Sequence, residues 1–339
     1  MPQITPISLI LPKQKNLQFT TYKNIRGPKP FINCLKHDQW SETKKGIDAL
    51  VDKGVYQQQE PKYYWYRVIS ENRVFEGFIC GVRLESKRKV ITTHEDVMPE
   101  RVQLFSDYLS TVNRQAEPLL LMHEDSFFTL RIRENIRRNT PDFEFREENE
   151  IHQLWVLSIS RFYRLRKFSR ECGEFHLADG HHRLASIQKW AEQHQKRGVA
   201  LAFVMASDQL HNGVFFWATK TKLFPESLKS RLIKYDRSLP LYIKIKKKLF
   251  SISTPPGEHP LIFLYHQILI PNNIEISYFP EGTLSVKLLK QFSGVFGYNT
   301  LPMEEIISLA KKGLHLPPKS TYLHPKLPTG LFIAPLSTD

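Results

Sequence analysis

The chain has 339 residues, of which 41% are hydrophobic and 24% charged, a composition typical of a folded globular protein rather than a disordered one. Its formal net charge of +14 favours anionic partners: nucleic acid, a membrane surface or phosphorylated small molecules. The amino terminus, MPQITPISLILPKQK, has an apolar run too short for a secretory signal or a membrane span. The three cysteines form no CxxC pair, so a cytoplasmic location is predicted.

The first two thirds of the chain predict a sheet with both hairpins and crossovers. KYYWYRVI and RVFEGFICGVRL are rich in aromatic and β-branched residues and predict two paired strands around a polar turn. KRKVITTHED predicts a further strand, and a helix follows with Pro99 in its first turn. EPLLLM, IHQLWVLSI, EFHLA and VALAFVMA predict more strands. The fold class expected is therefore α+β, with a mixed β-sheet flanked by helices.

The carboxy-terminal part contains one clear helix signal and a proline-rich tail. LPMEEIISLAKKG has acids first, lysines last and Gly313 as terminator, which predicts a helix. LHLPPKSTYLHPKLPTGLFIAP predicts a rigid extended loop, with GLFI as a closing strand. Because no repeat or linker divides the chain, a single large domain is expected over residues 1–335. Its core would span about 60–210, with the part from about 211 to 335 packed on it.

The stretch EFHLADGHHRLASIQKW begins like a strand and ends like a helix. Asp179 is the expected N-cap, and Gly180 permits a tight turn. His181, His182 and Arg183 then fall in the first helical turn, where positive charge opposes the helix dipole. With an anion bound at the helix start, this unfavourable electrostatic interaction would become favourable, because the backbone N–H groups, the dipole and a guanidinium would all face the anion. The stretch therefore predicts a phosphate site.

Two other interpretations of these histidines stay open on the residues alone. His176, His181 and His182 could bind a metal with Asp179, although neighbouring helical residues point about 100° apart, so one ion cannot easily take both His181 and His182. No metal site is therefore predicted. Alternatively, the histidines could only form structural pairs with Asp179 and Asp208.

TTHEDVMPER is a second polar cluster between a predicted strand and a predicted helix. Glu95, beside His94, could accept a proton from a substrate hydroxyl, or it could simply cap the helix. Two basic runs, RFYRLRKFSR at residues 161–170 and KIKKK at residues 244–248, are compatible with either anion binding or a solvated surface.

The motifs ADGHHR, THED…ER, WYRV and LPPKSTYLHPKLPTGLFI resemble those of the bacterial domain-of-unknown-function 1015 family, from about Gly27 to Pro335. The box DGHHR is also similar in kind to that of the ParB/sulfiredoxin superfamily, in which a strand, a turn and a helix start bind nucleotide phosphates. One branch of that superfamily is an ADP-dependent kinase of free serine. The segment between Asp208 and Tyr278 departs from the family pattern.

The resemblance implies a ParB/sulfiredoxin-like core around the box and an activity in serine or phosphoserine metabolism. It assigns Glu95 as the base, with His94 and His182 as further catalytic candidates. The residues that match the phosphate-binding box are Asp179, Gly180, His181, His182 and Arg183. Lys319, Ser320, Thr321 and Lys326 match the family's tail motif, which has no established role, and are added here as candidate phosphate- or nucleotide-binding residues. The tail loop with its two lysines is expected to close over the box.

The function expected is a phosphotransferase that uses ADP or ATP, with Mg²⁺ bridging the phosphates, on a small hydroxyl substrate such as serine. The alternatives are a nucleotide-binding switch or a ParB-like DNA-binding protein without catalysis, and a phosphatase on a phosphorylated metabolite. Nucleic acid is the less favoured partner because no helix-turn-helix or zinc module follows the box. No membrane partner is expected. The sequence leaves open the nucleotide, the reaction direction and the oligomeric state.

Overall fold

The computed structural model describes residues 4–13, 38–70, 73–84, 91–124, 132–134, 136, 138–147, 150–158, 167–168 and 174–336. Cys34, Cys172 and most of the basic run at residues 161–170 lie outside the described residues. The chain forms two compact units. The first comprises residues 1–93, 97–210 and 325–339, and the second comprises residues 94–96 and 211–324. A single functional domain over residues 1–335 stays a prediction.

In chain order, the elements up to residue 206 are β1 Ile4–Thr5, β2 Ile10–Pro12, α1 Asp38–Asp52, β3 Tyr56–Gln58, β4 Tyr64–Ser70, β5 Arg73–Leu84, β6 Ile91–Thr92, α2 Pro99–Val112, β7 Arg114–Gln115, β8 Leu119–His123, β9 Phe143–Glu147, β10 Glu150–Val156, β11 Phe175–Asp179, α3 His181–Gln193 and β12 Gly198–Ala206. After the 3₁₀ turn Ser207–Gln209 come β13 His211–Gly213, β14 Phe215–Thr219, α4 Glu226–Lys229, β15 Leu232–Lys234, β16 Leu241–Ile245, β17 Lys248–Ile252, α5 Pro260–Phe263 with the π-helical segment Leu264–Leu269, β18 Ser277–Pro280, α6 Val286–Leu289, β19 Gly294–Tyr298, α7 Met303–Lys311, β20 Tyr322–His324 and β21 Ala334–Pro335.

The first unit is built on a nine-stranded mixed sheet, in the order β6-β11-β8-β12-β5-β4-β10-β9, with β1 also paired to β5. β4 and β5 form the predicted antiparallel pair. β12 runs parallel to β8 and antiparallel to β5. All nine residues of β12 are buried, which explains its continuous apolar sequence. Helix α3 packs on β12, and α2 packs on α3. The predicted α+β class with a mixed sheet is confirmed.

The second unit is built on a six-stranded antiparallel sheet, in the order β15-β17-β16-β19-β14-β18. Strands β13 and β20 form a separate antiparallel pair. The KIKKK run lies at the end of the β16–β17 hairpin, where Lys246 has a φ of 54° and is exposed. The predicted helix α7 is present, and Gly313, with a φ of 69°, follows its end.

The predicted closing strand GLFI is wrong in its position. Gly330, with a φ of 87°, and a hydrogen bond from Leu331 N–H to the Pro328 carbonyl form a turn there. The strand begins only at Ala334 and pairs with β7, and Ile333 forms a single bridge to Ile10. Residues 331–333 are all fully buried, so their side chains do not alternate as they would in a one-sided strand. None of the helices described here is long and apolar enough to cross a membrane.

Candidate functional site

The DGHHR box forms a strand–turn–helix, as predicted. Strand β11 ends at Asp179, and helix α3 begins at His181. Gly180 between them has a φ of 104°, a conformation that L-residues rarely adopt. A Cβ at this position would also lie 2.8 Å from Leu119 Cδ2 and 3.1 Å from Arg183 Cζ. The turn therefore requires glycine both for its backbone angle and for space.

Asp179 is not the N-cap of α3, contrary to the prediction. Gly180 occupies that position, and no side-chain hydrogen bond caps this helix start in the structure as described. The Asp179 carboxylate is held elsewhere: Oδ2 accepts a hydrogen bond from Arg183 Nη2 at 2.6 Å, and Oδ1 accepts one from Lys326 Nζ at 2.6 Å. Two charge-assisted bonds outweigh a single cap bond to a backbone N–H.

Arg183 is the centre of this group. Its Nη1 donates to the Pro118 carbonyl at 2.5 Å and lies 3.1 Å from Glu117 Oε1. We call Glu117, Asp179, Arg183 and Lys326 the box cluster. It contains two cations and two carboxylates, and its side chains are 18–36% exposed. The cluster holds both cations in one place at the start of α3 while remaining accessible to solvent.

The two histidines of the box are buried. His181 is 7% exposed and His182 is 8% exposed. Met98 N–H donates a hydrogen bond to His182 Nε2 at 3.0 Å, so Nε2 carries a lone pair and the ring is neutral in this arrangement. His182 thus ties the start of α2 to α3. Its phosphate-binding and catalytic roles stay predictions.

In the second unit, Glu95 is fixed by residues of the tail motif. The carboxylate is buried, with 7% of the residue exposed. Its Oε1 accepts a hydrogen bond from Lys319 N–H at 2.9 Å, and its Oε2 accepts one from the Thr321 hydroxyl at 3.2 Å. Thr321 Oγ1 also lies 3.2 Å from His94 Nε2. We call His94, Glu95, Lys319 and Thr321 the Glu95 cluster.

The direction of the hydrogen bonds in the Glu95 cluster follows from the donors available. A hydroxyl has one hydrogen, and an ionised carboxylate can only accept. If Thr321 donates to Glu95, then His94 must donate its Nε2–H to Thr321. The three side chains form a chain that ends on Glu95, and Glu95 is oriented from both oxygens. This is the arrangement that a proton acceptor of fixed geometry needs.

Lys319 has the unusual backbone in this cluster. Its φ of 62° lies in the left-handed region, which costs a non-glycine residue roughly 1–3 kcal/mol. This conformation directs its N–H to Glu95, and its carbonyl accepts a hydrogen bond from Trp217 Nε1 at 2.9 Å. The Lys319 amine lies 5.8 Å from the centre of the Phe215 ring. Strain of this kind concentrates at functional sites.

The remaining tail residues divide between the two units. Lys326 belongs to the first unit and lies on the box, as predicted. Lys319, Ser320 and Thr321 belong to the second unit. The Ser320 hydroxyl donates to the Pro317 carbonyl at 2.7 Å, within its own loop. The approach of Lys319 to the box stays a prediction.

Sequence reasoning missed Glu117 and Thr329. Glu117 holds Arg183, and the Thr329 hydroxyl donates to Glu117 Oε2 at 3.2 Å. For Glu117, the local sequence shows only that an acid directly precedes the apolar strand PLLLM. That position does not indicate that Arg183 is its partner.

No group of three or more His, Cys, Asp or Glu converges on a possible metal site within the described residues. His176, one of the alternative ligands, has its Nε2 3.5 Å from Glu124 Oε1. If substrate phosphates carried a Mg²⁺ ion to the box cluster, the partly exposed carboxylates of Asp179 and Glu117 would be the protein groups there to hold it.

A family model described as "Protein of unknown function (DUF1015)" matches residues 27–213, more than half of the chain. No curated protein matches. Among solved structures, "SbnI with C-terminal truncation from Staphylococcus aureus" is 15% identical, covers 73% of this chain and 84% of its own, and has a TM-score of 0.49. A free serine kinase mutant in complex with ADP is 16% identical, with coverage of 79% and 95% and a TM-score of 0.47. The free serine kinase in complex with AMP is 15% identical, with coverage of 79% and 94% and a TM-score of 0.47.

Proposed function

The chain belongs to the DUF1015 family of proteins of unknown function, and we propose that it is a nucleotide-dependent phosphotransferase acting on a small hydroxyl substrate. We propose serine or phosphoserine as that substrate, ADP or ATP as the nucleotide, and the cytoplasm as the place of action. The observation that carries the proposal is the start of α3, where a glycine with positive φ, a helix start without a side-chain cap, and two cations occur together.

The box cluster is suited to bind phosphate. A helix start attracts anions through its dipole and its backbone N–H groups. A phosphate competes with the carboxylates of Asp179 and Glu117 for Arg183 and Lys326, and it carries more charge than either carboxylate. Because the cluster is partly exposed, such an exchange of partners needs no opening of the core.

Glu95 is proposed as the group that accepts the proton of the substrate hydroxyl. Its two oxygens are held by Lys319 N–H and the Thr321 hydroxyl, which fixes the orientation of the carboxylate. Phosphoryl transfer depends mainly on positioning and on stabilisation of charge. In the reverse direction, the same residues would return the phosphoryl group of phosphoserine to the nucleotide and release serine.

The test is a phosphotransfer assay combined with calorimetry. ADP and ATP are titrated in turn, with Mg²⁺, and phosphoserine formation from serine is followed by mass spectrometry with each nucleotide. Nucleotide binding together with phosphoserine formation supports the proposal. Binding without turnover in either direction identifies a nucleotide switch. Release of inorganic phosphate from phosphoserine, independent of nucleotide, identifies a phosphatase and overturns the proposal.

A further inference from the structure

The basic run at residues 244–248 belongs to a part of the second unit where three strands lie side by side. β15, β17 and β16 form one end of the six-stranded sheet. Because side chains alternate along a strand, each strand presents one set of residues to each face of the sheet. Leu241, Ile243 and Ile252 share one face and are at most 2% exposed, so that face belongs to the core. The basic run therefore has to be considered with the residues of the opposite face.

Cross-strand pairs place apolar and basic side chains together on that opposite face. Ser251 of β17 pairs with Ile233 on one side and with Tyr242 on the other. Two positions along the same strand, Leu249 pairs with Lys244. Residues that pair in this way lie on the same face and are close neighbours. Ile233 is 41% exposed, Leu249 is 37% exposed, and Lys244 is exposed as well, so the face offers apolar surface next to positive charge.

Ser251 also fixes an aromatic side chain on this face. Its hydroxyl accepts a hydrogen bond from Asp236 N–H at 2.9 Å and donates one to the Asp236 carbonyl at 3.1 Å. These bonds hold the segment after β15 beside the sheet, and the Tyr235 ring meets the Tyr242 ring edge to face, with 6.1 Å between their centres. Tyr242 is half-buried, whereas Tyr235 is 37% exposed. We call Ile233, Tyr235, Tyr242, Lys244 and Leu249 the open face.

The surroundings of the open face are strongly positive. Residues 232–252 contain six cations and one acid, an excess of five positive charges. No carboxylate among the residues that the structure describes pairs with these cations. The acid, Asp236, accepts hydrogen bonds from the N–H and the hydroxyl of Ser238, both at 2.8 Å. The six cations are all exposed: Lys234, Arg237, Lys244, Lys246, Lys247 and Lys248.

From this combination of charge and aromatic surface we infer that the open face binds a single-stranded nucleic acid. Proteins bind such strands by placing cations along the phosphates and aromatic rings against the unstacked bases. The exposed cations supply the first element, and Tyr235 supplies the second. Desolvation raises the pKa of Tyr242, with smaller effects of Tyr235 and Glu281, so its hydroxyl stays neutral and does not repel a phosphate.

A double-stranded nucleic acid fits the open face less well. Its bases are stacked on one another, so a duplex would meet the cations and leave Ile233, Tyr235 and Leu249 without a partner. A helix-turn-helix reads a duplex, and its absence from the sequence does not bear on a single strand. The inference goes beyond the proposed function and does not depend on it, because the open face shares no residue with the box cluster or the Glu95 cluster.

The binding test is fluorescence anisotropy with a short labelled oligothymidylate, over a salt series from about 50 to 200 mM. The same strand without bases, and vesicles of phosphatidylserine and phosphatidylcholine, are compared with it. We expect the strand with bases to bind at least fivefold more tightly than the strand without them, and the affinity to fall as salt increases. Excess ADP should not displace the strand, which separates the open face from the nucleotide site proposed above.

Two variants test the two elements of the open face. Lys244→Gln with Lys247→Gln should weaken binding about fivefold or more and reduce the slope of log affinity against log salt by about 1.4, since each phosphate contact contributes about 0.7. Lys290→Gln with Lys312→Gln removes two exposed lysines elsewhere in the second unit and should stay within twofold. Tyr235→Ala should lose about 5- to 150-fold for oligothymidylate, the range of base–aromatic stacking, and stay within twofold for the strand without bases.

Each alternative has its own outcome. A wild-type protein that binds no strand shows a solvated basic surface and overturns the inference. Binding to the vesicles in place of the strand identifies a membrane surface and overturns it too. So does an equal loss in the control pair of lysines, displacement by ADP, or an equal response of both strands to Tyr235→Ala. Circular dichroism checks the fold, and Tyr235→Leu, which keeps an apolar contact for Tyr242 without a flat ring, gives the same comparison if Tyr235→Ala does not fold.

Discussion

The box cluster of the first unit and the Glu95 cluster of the second unit hold their charged groups in different ways. In the box cluster, carboxylates and cations hold one another through side-chain pairs that are 18–36% exposed. In the Glu95 cluster, a carboxylate with only 7% exposure is held by a backbone N–H and a hydroxyl. Partly exposed ion pairs can exchange a partner more readily than a buried carboxylate with directional bonds, which keeps one orientation.

We propose that the two clusters have different roles, the box cluster in phosphate binding and the Glu95 cluster in proton transfer. A group that binds phosphate must give up one partner and take another, and the box cluster is built from such replaceable pairs. A proton acceptor must stay in place while the substrate changes, and Glu95 is restrained at both oxygens. Changes in the first cluster should therefore alter affinity, and changes in the second should alter turnover.

The largest expected effect is that of Glu95→Gln. Glutamine keeps the shape and can still accept a hydrogen bond from Lys319 N–H, but it cannot take a proton. We expect kcat to fall by about 10²–10⁴-fold, the usual contribution of a general base. Nucleotide affinity should stay within twofold by calorimetry. A variant that keeps more than a tenth of the wild-type kcat would show that Glu95 only supports the tail loop.

Arg183→Ala should act on affinity instead. It removes a charge-assisted bond to phosphate, which is worth about 1.5–3 kcal/mol, or about 10- to 150-fold in Kd. Calorimetry with ADP measures the loss, and circular dichroism checks that the fold is kept. Lys167→Ala removes a cation at an exposed position outside the cluster and is the control. Equal affinity in a folded Arg183→Ala protein would move the anion site elsewhere.

Gly180→Ala should lower the free energy of unfolding by roughly 1–3 kcal/mol, because alanine is strained at a φ of 104° and its Cβ meets Leu119. Urea titration measures this loss. Gly257→Ala, at a φ of 83° with nothing within 4 Å of the new Cβ, is the control for backbone strain alone. A loss no larger than that of the control would mean that Leu119 and Arg183 make room for the methyl group.

Each unit contains a histidine whose pKa is lowered to about 4 by desolvation: His152, which is buried, and His259, which is partly buried. His152 Nδ1 lies 2.6 Å from the Tyr66 hydroxyl. The folded protein binds fewer protons than the unfolded chain between pH 4 and the ordinary histidine pKa of about 6.5. Stability due to His152 is therefore present above pH 6.5 and is lost as the pH falls, by up to about 1.4 kcal/mol per pH unit.

Urea titrations from pH 7 to pH 4 measure this slope. His152→Leu should flatten it, and so should His259→Leu in the second unit. His194→Gln, at an exposed position, is the control. An unchanged slope in His152→Leu would mean that carboxylates alone cause the loss of stability in acid.

The smallest effect is expected from Lys319→Gly, which separates backbone strain from function. Glycine adopts a φ of 62° without penalty, so the free energy of unfolding should stay equal or rise by up to about 1 kcal/mol. Turnover should fall because the amine is lost. Lys246→Gly, at a φ of 54° on the β16–β17 hairpin, has the same backbone change away from the Glu95 cluster and should keep its activity. Equal activity in both variants would leave Lys319 with a structural role only.

The local structure of the box could be predicted because it depends on neighbours in sequence. Gly180 marks a turn, and the apolar residues Leu184, Ile187 and Trp190 recur at helical spacing and are buried on one face. The N-cap was predicted wrongly for a related reason. The preference of Asp for that position is a local tendency, and it is outweighed here by Lys326, 147 residues further along the chain.

By itself the sequence determined the mixed sheet, the strand–turn–helix of the box and the helices α2, α3 and α7, because hydrophobic periodicity, proline and glycine act over a few residues. Only the tertiary structure decided which groups meet. Glu95 is held by residues 224 and 226 positions away, and Arg183 is held by Glu117, which carries no motif. A cavity beside Arg183 is lined by α2, α3, the segment from Arg114 to Glu117 and Thr329. Such pairings and gaps depend on how distant segments pack, and a pattern of neighbouring residues does not encode them.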